Sequence, residues 1–261
     1  MRVILFYIGD FPVPSYGVIV ALAVLLAFGV ASFLARGTKF QNHLPNLVTY
    51  AILGAILSAR IWHVFFFRWD YYSQNISEIF AIWNGGISIQ GALIGGFLTT
   101  ALYCRLQRIS FWELADVLAP AIILGQAIGR IACFLNGDAF GSPTNSGFGI
   151  VYPEGTIAYE QYGAQPLWPA EIWEGQWGLV VFAILLLLKT KPLPKGFLFL
   201  TYNILYAIGR FLLEYLRGDS PRYAMDWTAG QWTSVVVILV SMALMSYFAL
   251  QHKMKRLIES N

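Results

Sequence analysis

The sequence predicts an all-α polytopic membrane protein with about seven transmembrane helices, on three observations. Hydrophobic residues make up 57% of the 261 positions and charged residues only 12%, with a mean hydropathy of +0.60, a balance that excludes an ordinary soluble domain. Seven apolar stretches recur along the chain, most near the ~20 residues needed to cross a hydrocarbon core. The alternating segments of about ten residues that would mark a transmembrane barrel do not occur.

Each element follows from its residues. The apolar run at 3–8 is short and precedes Asp10, Pro12 and Pro14, so it reads as neither a span nor a cleaved signal peptide, and the start is expected to remain on the mature protein. Span one covers 17–36, and span two, 47–67, carries Arg60 and His63. Span three, 87–104, is short and glycine-rich; Gly91 and Gly95, one turn apart, permit close helix approach, beside Ser88 and Gln90. Span four, 113–135, holds Arg130 and ends in Asn136-Gly137, residues that tolerate positive φ. Span five, 171–189, opens with Trp168-Pro169-Ala170-Glu171-Ile172-Trp173-Glu174, whose two glutamates share a face and suit a helix start. Span six, 197–216, carries Tyr206, Arg210, Glu214 and Arg217 at helical spacing on one face. Span seven covers 230–250. With no internal repeat or low-complexity tract, the chain reads as one integral membrane domain, 1–261, with an outer loop at about 136–168.

Charge sorts the loops. Arg36 and Lys39, Arg105 and Arg108, Lys189, Lys191 and Lys195, and Lys253, Lys255 and Arg256 fall on one side, which the positive-inside rule makes cytoplasmic. The amino terminus is then outside and the carboxyl terminus cytoplasmic. The loop at 136–168 has no Lys or Arg and carries Asp138, Glu154 and Glu160, as an exported loop would. Its Tyr152, Tyr159 and Tyr162, with Trp168 and Trp173, read most simply as an interfacial aromatic belt. Cys104 and Cys133 offer neither a disulfide framework nor metal spacing, so no metal is expected.

Arg60, Arg130 and Arg210 lie inside apolar stretches. A guanidinium keeps its proton at accessible pH and is costly in hydrocarbon, so each must face water, a carboxylate or an anionic ligand. Plain roles exist: Arg130 could snorkel to the surface, and Glu214 could simply neutralise Arg210. The face of span six nevertheless leaves a positive remainder, two arginines to one glutamate. A phosphate would complete it, because arginine matches phosphate oxygens bidentately.

The ordered set of these residues resembles the bacterial phosphatidylglycerol:prolipoprotein diacylglyceryl transferase family, either as an ordinary member or as a divergent one. Ser15-Tyr16-Gly17, Ala59-Arg60-Ile61, the Gly85 to Gly96 segment, Gly129-Arg130 through Asn136-Gly137-Asp138 to Gly141, and Tyr206 to Arg217 carry the resemblance. It implies transfer of the diacylglyceryl group from phosphatidylglycerol to the lipobox cysteine thiol of a preprolipoprotein signal peptide at the bacterial inner membrane, releasing glycerol phosphate. No cofactor, metal or nucleic acid is implied. Arg130 and Arg210 would hold the lipid phosphate and stabilise it as it leaves, Glu214 would orient Arg210, and Tyr206 and Tyr16 would hydrogen-bond at the headgroup. Asn136, Gly137 and Gly141 would shape the signature turn, with Arg60, Gln90, Asp138, Glu174 and Arg217 completing the substrate-binding set.

The chain departs from the family where span three usually has a histidine: Gln90 cannot take a proton at neutral pH. Cys133 replaces an asparagine, Asp138 a glutamate, and the segment at 168–174 differs in several polar positions. The thiol would then be activated by Asp138, Glu174 or water, or the chain would use another acceptor or lipid. A phospholipid-binding or transport protein using the same arginines is the competing class. It would need a polar path between leaflets, whereas Arg130, Asp138, Glu171, Glu174 and Arg217 gather toward one side.

Overall fold

The computed structural model describes Met1 and residues 3–259; Arg2, Ser260 and Asn261 lie outside it, as do the side chains of Phe11, Asn84, His252, Lys253 and residues 255–259. The expected basic group Lys253, Lys255 and Arg256 thus falls outside the described side chains. A two-stranded antiparallel hairpin, β1 (Ile4–Ile8) and β2 (Phe11–Pro14), opens the chain. The apolar run at 3–8, expected to be neither a span nor a cleaved signal peptide, thus supplies one edge of this hairpin. Gly9-Asp10 is a two-residue hairpin turn, and Gly9 has φ +60°, which glycine adopts without steric cost.

The helices follow as α1 (Ser15–Leu34), α2 (Leu44–Trp62), the short α3 (Trp69–Tyr72), α4 (Ile89–Leu106), α5 (Phe111–Asn136), the short α6 (Ile157–Tyr162), α7 (Ala170–Lys189), α8 (Phe197–Leu213) and α9 (Ala229–Glu259). Among the described residues, six stretches are long and apolar enough to cross a membrane: Ser15–Leu34, Leu44–Phe67, Phe111–Asn136, Ala170–Lys189, Phe197–Leu216 and Ala229–Gln251. The third expected span is α4, which is helical but not among the six; Gln90, Thr99, Thr100 and Arg105 dilute its 18 residues. The protein is a predominantly helical, multi-pass membrane protein. The seventh expected span is α9, which runs past the expected 250 to Glu259.

The chain divides into two compact units, Met1–Phe33 with Ala115–Asn261, and Leu34–Leu114. In the first, Ala119 and Ile123 of α5, Val181 and Leu185 of α7, and Leu198 and Tyr202 of α8 form a buried apolar cluster. Asp116 of α5 caps α8 from across the bundle, its carboxylate accepting from the backbone N–H groups of Gly196 at 2.6 Å and Phe199 at 2.8 Å. Those donors have no partner within their own helix, and a carboxylate there also complements the helix dipole. A reciprocal box starts α9: Gln231 N donates to Thr228 Oγ1 at 3.2 Å and Thr228 N to Gln231 Oε1 at 3.0 Å.

In the second unit α2 and α4 pack through glycine. A Cβ on Gly91 would meet the Ser58 carbonyl oxygen and, at 2.9 Å, Ala59 Cα; one on Gly95 would meet the Ser58 side chain. The expected close approach at Gly91 and Gly95 is therefore real, and larger residues there would part the helices.

Candidate active site

The signature turn is built at the end of α5. Gly137, at φ +72°, takes the left-handed position after the last helical residue, and the N–H groups of Gly137 and Asp138 both reach the Cys133 carbonyl, at 2.9 and 3.1 Å. A side chain on Gly137 would be strained and would meet Thr156 at 2.6 Å. Asn136 Nδ2 donates to Asp138 Oδ2 at 2.9 Å, whereas Asp138 Oδ1 is buried with no hydrogen-bond partner among the described residues. Gly141 lets the returning chain touch its neighbours: its N–H donates to the Trp168 carbonyl at 3.0 Å, and a Cβ would meet the Trp168 backbone. Ser142 N to Leu216 O at 2.7 Å and Gly218 N to Phe140 O at 3.1 Å then tie the turn to the segment after α8.

Three arginines converge on one carboxylate. Glu174 of α7 receives Arg130 Nη2 of α5 on Oε2, and on Oε1 both Arg210 Nη1 of α8 at 2.7 Å and Arg217 Nη1 at 3.3 Å. Arg210 Nη2 also reaches Glu214 Oε2 at 2.8 Å, and Arg217 is paired bidentately with Asp219 at 2.6 and 2.7 Å. The Glu174 and Glu214 side chains are only 7% and 1% exposed, so these carboxylates rely on the guanidinium groups for what water would otherwise supply. The positive remainder expected from span six is cancelled: three guanidinium groups face three carboxylates, because Glu174 and Asp219 come from outside that helix face.

Glycines in α7 make this possible. A Cβ on Gly175 would stand 3.3 Å from Arg130 Cβ, and one on Gly178 3.0 Å from Ala127 Cβ, so α5 and α7 approach closely where Arg130 meets Glu174. Gly209 of α8 likewise admits the Trp177 indole, whose Nε1 donates to the Leu205 carbonyl at 2.9 Å. The pocket enclosed by these helices is lined by Gln126, Arg130, Glu174, Trp177, Tyr206 and Arg210, with apolar residues between; its free volume is about 10 Å³, room for roughly one water. Arg130 and Arg210 thus line one cavity. Tyr16 of α1 is 43% exposed and lies within electrostatic range of Arg130, Cys133 and Asp138.

The loop at 136–168 is a small folded body. Phe140, Tyr152, Ala158 and Leu167 form its core. Tyr152, expected in an aromatic belt, is instead 1% exposed and donates its hydroxyl to Glu171 Oε1. Burial first, then that hydrogen bond and the Glu171 charge, hold the Tyr152 phenol well above its ordinary range. Glu171 itself is fully buried, with Oε2 unpartnered among the described residues. Glu171 stands in the first turn of α7, as the helix-start reading expects, and is buried there.

Arg60 and Gln90 belong to the second unit. All five guanidinium donors of Arg60 point at backbone carbonyls: Nε to Ile79 at 2.8 Å, Nη1 to Gly85 and Gly86 at 2.6 and 2.8 Å, Nη2 to Glu78 and Ala81 at 2.6 and 3.4 Å. Its face also lies 5.0 Å from the Tyr72 ring centroid. The expectation that Arg60 binds substrate is therefore redirected, since no donor is left over for a ligand. Gln90 is exposed, its Oε1 accepting from Ser88 Oγ at 2.6 Å. Gln126 and Trp177 of the pocket lining and Asp219, the partner of Arg217, are functional neighbours that spacing does not single out, with one exception. Gln126 carried a usable signal, four residues before Arg130 on the same helix face.

Fold and site together define a multi-pass membrane protein that holds a buried arginine–carboxylate cluster between packed helices. The family model described as prolipoprotein diacylglyceryl transferase matches residues 3–247. Curated relatives bear the name phosphatidylglycerol–prolipoprotein diacylglyceryl transferase. The one from Listeria innocua serovar 6a is 40% identical over 243 residues, covering 92% of this chain and 87% of its own. That from Lysinibacillus sphaericus is 37% identical over 251 residues, 94% and 91% of the two chains. The Acaryochloris marina protein is 38% identical over 219 residues, 83% and 80%. The chain belongs to the prolipoprotein diacylglyceryl transferase family.

Proposed function

We propose that the protein transfers the diacylglyceryl group of phosphatidylglycerol to the lipobox cysteine of a preprolipoprotein signal peptide, releasing glycerol phosphate. The observation that carries the reading is the convergence of Arg130 and Arg210, from separate helices, on one pocket in a chain of this family. In the reaction a sulfur–carbon bond forms at the glyceryl carbon and its bond to the phosphate oxygen breaks. The electron pair stays on the phosphate, and fixed guanidinium groups in a water-poor site are suited to stabilise that growing charge.

Glu174 pairs with both Arg130 and Arg210 in this pocket, so a phosphate there competes with that carboxylate. The donor headgroup therefore enters by taking Arg130 and Arg210 from Glu174, while Glu214 keeps its hold on Arg210. Tyr16 supplies a neutral hydrogen bond beside the headgroup, Tyr206 one a helical turn below it, and Arg217 stays with Asp219. Asn136, Gly137 and Gly141 hold the turn that presents Asp138. The orphan Oδ1 of Asp138 supports this carboxylate as acceptor of the thiol proton, a role that Gln90 cannot fill. Arg60 acts as the organiser of the loop at 73–88 rather than as a ligand. The distribution of Lys and Arg supports an external amino terminus, a cytoplasmic carboxyl terminus and an inner-membrane setting.

Membranes containing the protein, given phosphatidylglycerol and a lipobox peptide, are expected to yield thioether-linked peptide and glycerol phosphate. Donor lipid retained with no product would support the lipid-binding alternative instead.

A further inference from the structure

One turn below the arginines, the same pocket has a second polar level that phosphate binding does not use. Gln126 precedes Arg130 by four residues on α5, and Tyr202 and Tyr206 precede Arg210 by eight and four on α8, so both helices turn these residues toward one face. Gln126 and Tyr206 line the pocket with the two arginines. Tyr202, 6% exposed, donates its hydroxyl to Gln126 Oε1 at 3.1 Å, which fixes the amide so that Nε2 is its free end. Among the described residues neither Gln126 Nε2 nor the Tyr206 hydroxyl has a hydrogen-bond partner. Trp177 Nε1, the other donor nearby, is engaged by the Leu205 carbonyl. This level therefore offers uncharged donors and no free carboxylate.

With the phosphate at the arginines, the diacylglyceryl group extends away from the α5 terminus, and a helical turn of ~5.4 Å brings its ester linkages to this level. Ester groups carry carbonyl acceptors and no donors, which complements Gln126 Nε2 and Tyr206. We infer that Gln126, oriented by Tyr202 and assisted by Tyr206, hydrogen-bonds an ester carbonyl of the donor lipid, positions the reacting glyceryl carbon and makes the protein selective for ester-linked over ether-linked glycerophospholipids. A charged side chain would serve poorly at this depth, whereas an amide donates without the cost of burying an ion.

This inference rests on the transferase reading and is tested with two donor lipids, diacyl phosphatidylglycerol and its dialkyl ether analogue, in the peptide assay. The ether analogue keeps the phosphate and the reacting carbon and lacks only the carbonyls. The wild type is expected to favour the ester by about tenfold in kcat/KM, the effect of one hydrogen bond that leaves a buried partner unpaired. In Gln126→Leu the ester rate should fall by about that factor and the ether rate hold, so the preference collapses. Tyr202→Phe, which keeps the amide but frees its carbonyl end, should give a smaller loss of preference; it serves as the readout should Gln126→Leu not fold. An undiminished preference in a folded variant, or equal losses on both lipids, overturns the assignment. A wild type that uses both lipids equally overturns it while leaving the transferase reading intact, and a wild type that makes thioether from neither overturns both.

Discussion

Removing Arg210 separates its catalytic from its structural contribution, provided its carboxylate partner is removed as well. Arg210→Ala deletes the contact to Glu174 at 2.7 Å and the one to Glu214 at 2.8 Å. Glu174 retains Arg130 and Arg217, but Glu214, 1% exposed, loses the ion-pair partner that the structure gives it. A buried pair broken on one side costs about 3–5 kcal/mol, most of it from the stranded charge. Transfer should fall by roughly 10²–10³ for the loss of one donor to the developing phosphate charge. Adding Glu214→Ala removes the stranded carboxylate. The double variant is therefore expected to recover most of the thermal stability lost in the single variant, because removing both partners of a buried pair is often close to neutral. Turnover should not recover. The measurements are thermal unfolding in detergent and thioether formation in membranes, on wild type, both single variants and the double variant. Turnover that returns together with stability would refute the phosphate clamp and leave Arg210 as a structural ion-pair partner.

Three further outcomes are expected. Asp138→Asn keeps the hydrogen-bonding shape of the turn but not the carboxylate, and should lower turnover about 10²–10⁴-fold, the range for a general base, with donor-lipid binding kept; near-normal turnover excludes Asp138 as the proton acceptor. Tyr152→Phe removes the hydroxyl that donates to buried Glu171 Oε1, at a cost of about 1–3 kcal/mol, read as a lowered Tm and faster proteolysis in the loop at 136–168. Because the folded state raises the Tyr152 phenol, the unfolded chain ionises first. Its contribution to stability is thus complete below the ordinary phenol value of about 10 and is lost as pH rises past it, and this alkaline loss should be smaller in Tyr152→Phe; equal alkaline profiles would count against the pairing. Arg60→Lys replaces five donors with three and should expose the loop at 73–88 to faster proteolytic cleavage, while an unchanged cleavage rate would contradict its organising role.

The helices were legible because their information is local. Apolar length marks a span, and the recurrence of Tyr206, Arg210 and Glu214 at every fourth residue assigns a common face whatever the helix packs against. The i,i+4 pair of Arg210 with Glu214 follows from that spacing alone. The amino-terminal hairpin was also written locally, in Gly9-Asp10, but its strands are too short and too irregular in pattern to stand out beside a long apolar span.

What sequence could not decide is which charge meets which. The sequence by itself determined a multi-pass helical membrane protein, arginines placed where hydrocarbon would not tolerate them unpaired, and the turn after α5. Only tertiary structure made Glu174 the shared partner of Arg130, Arg210 and Arg217, since that depends on how closely α5, α7 and α8 approach. The approach is set by Gly175, Gly178 and Gly209, whose missing side chains cannot be matched to a neighbour from the sequence. The same holds for Arg60, whose five acceptors are main-chain carbonyls that every residue carries, and for Tyr152, buried by the fold of its own loop. Periodicity is a property of one helix, whereas ion pairing and burial in a water-poor site are properties of helices brought together, and they appear only when the chain is folded.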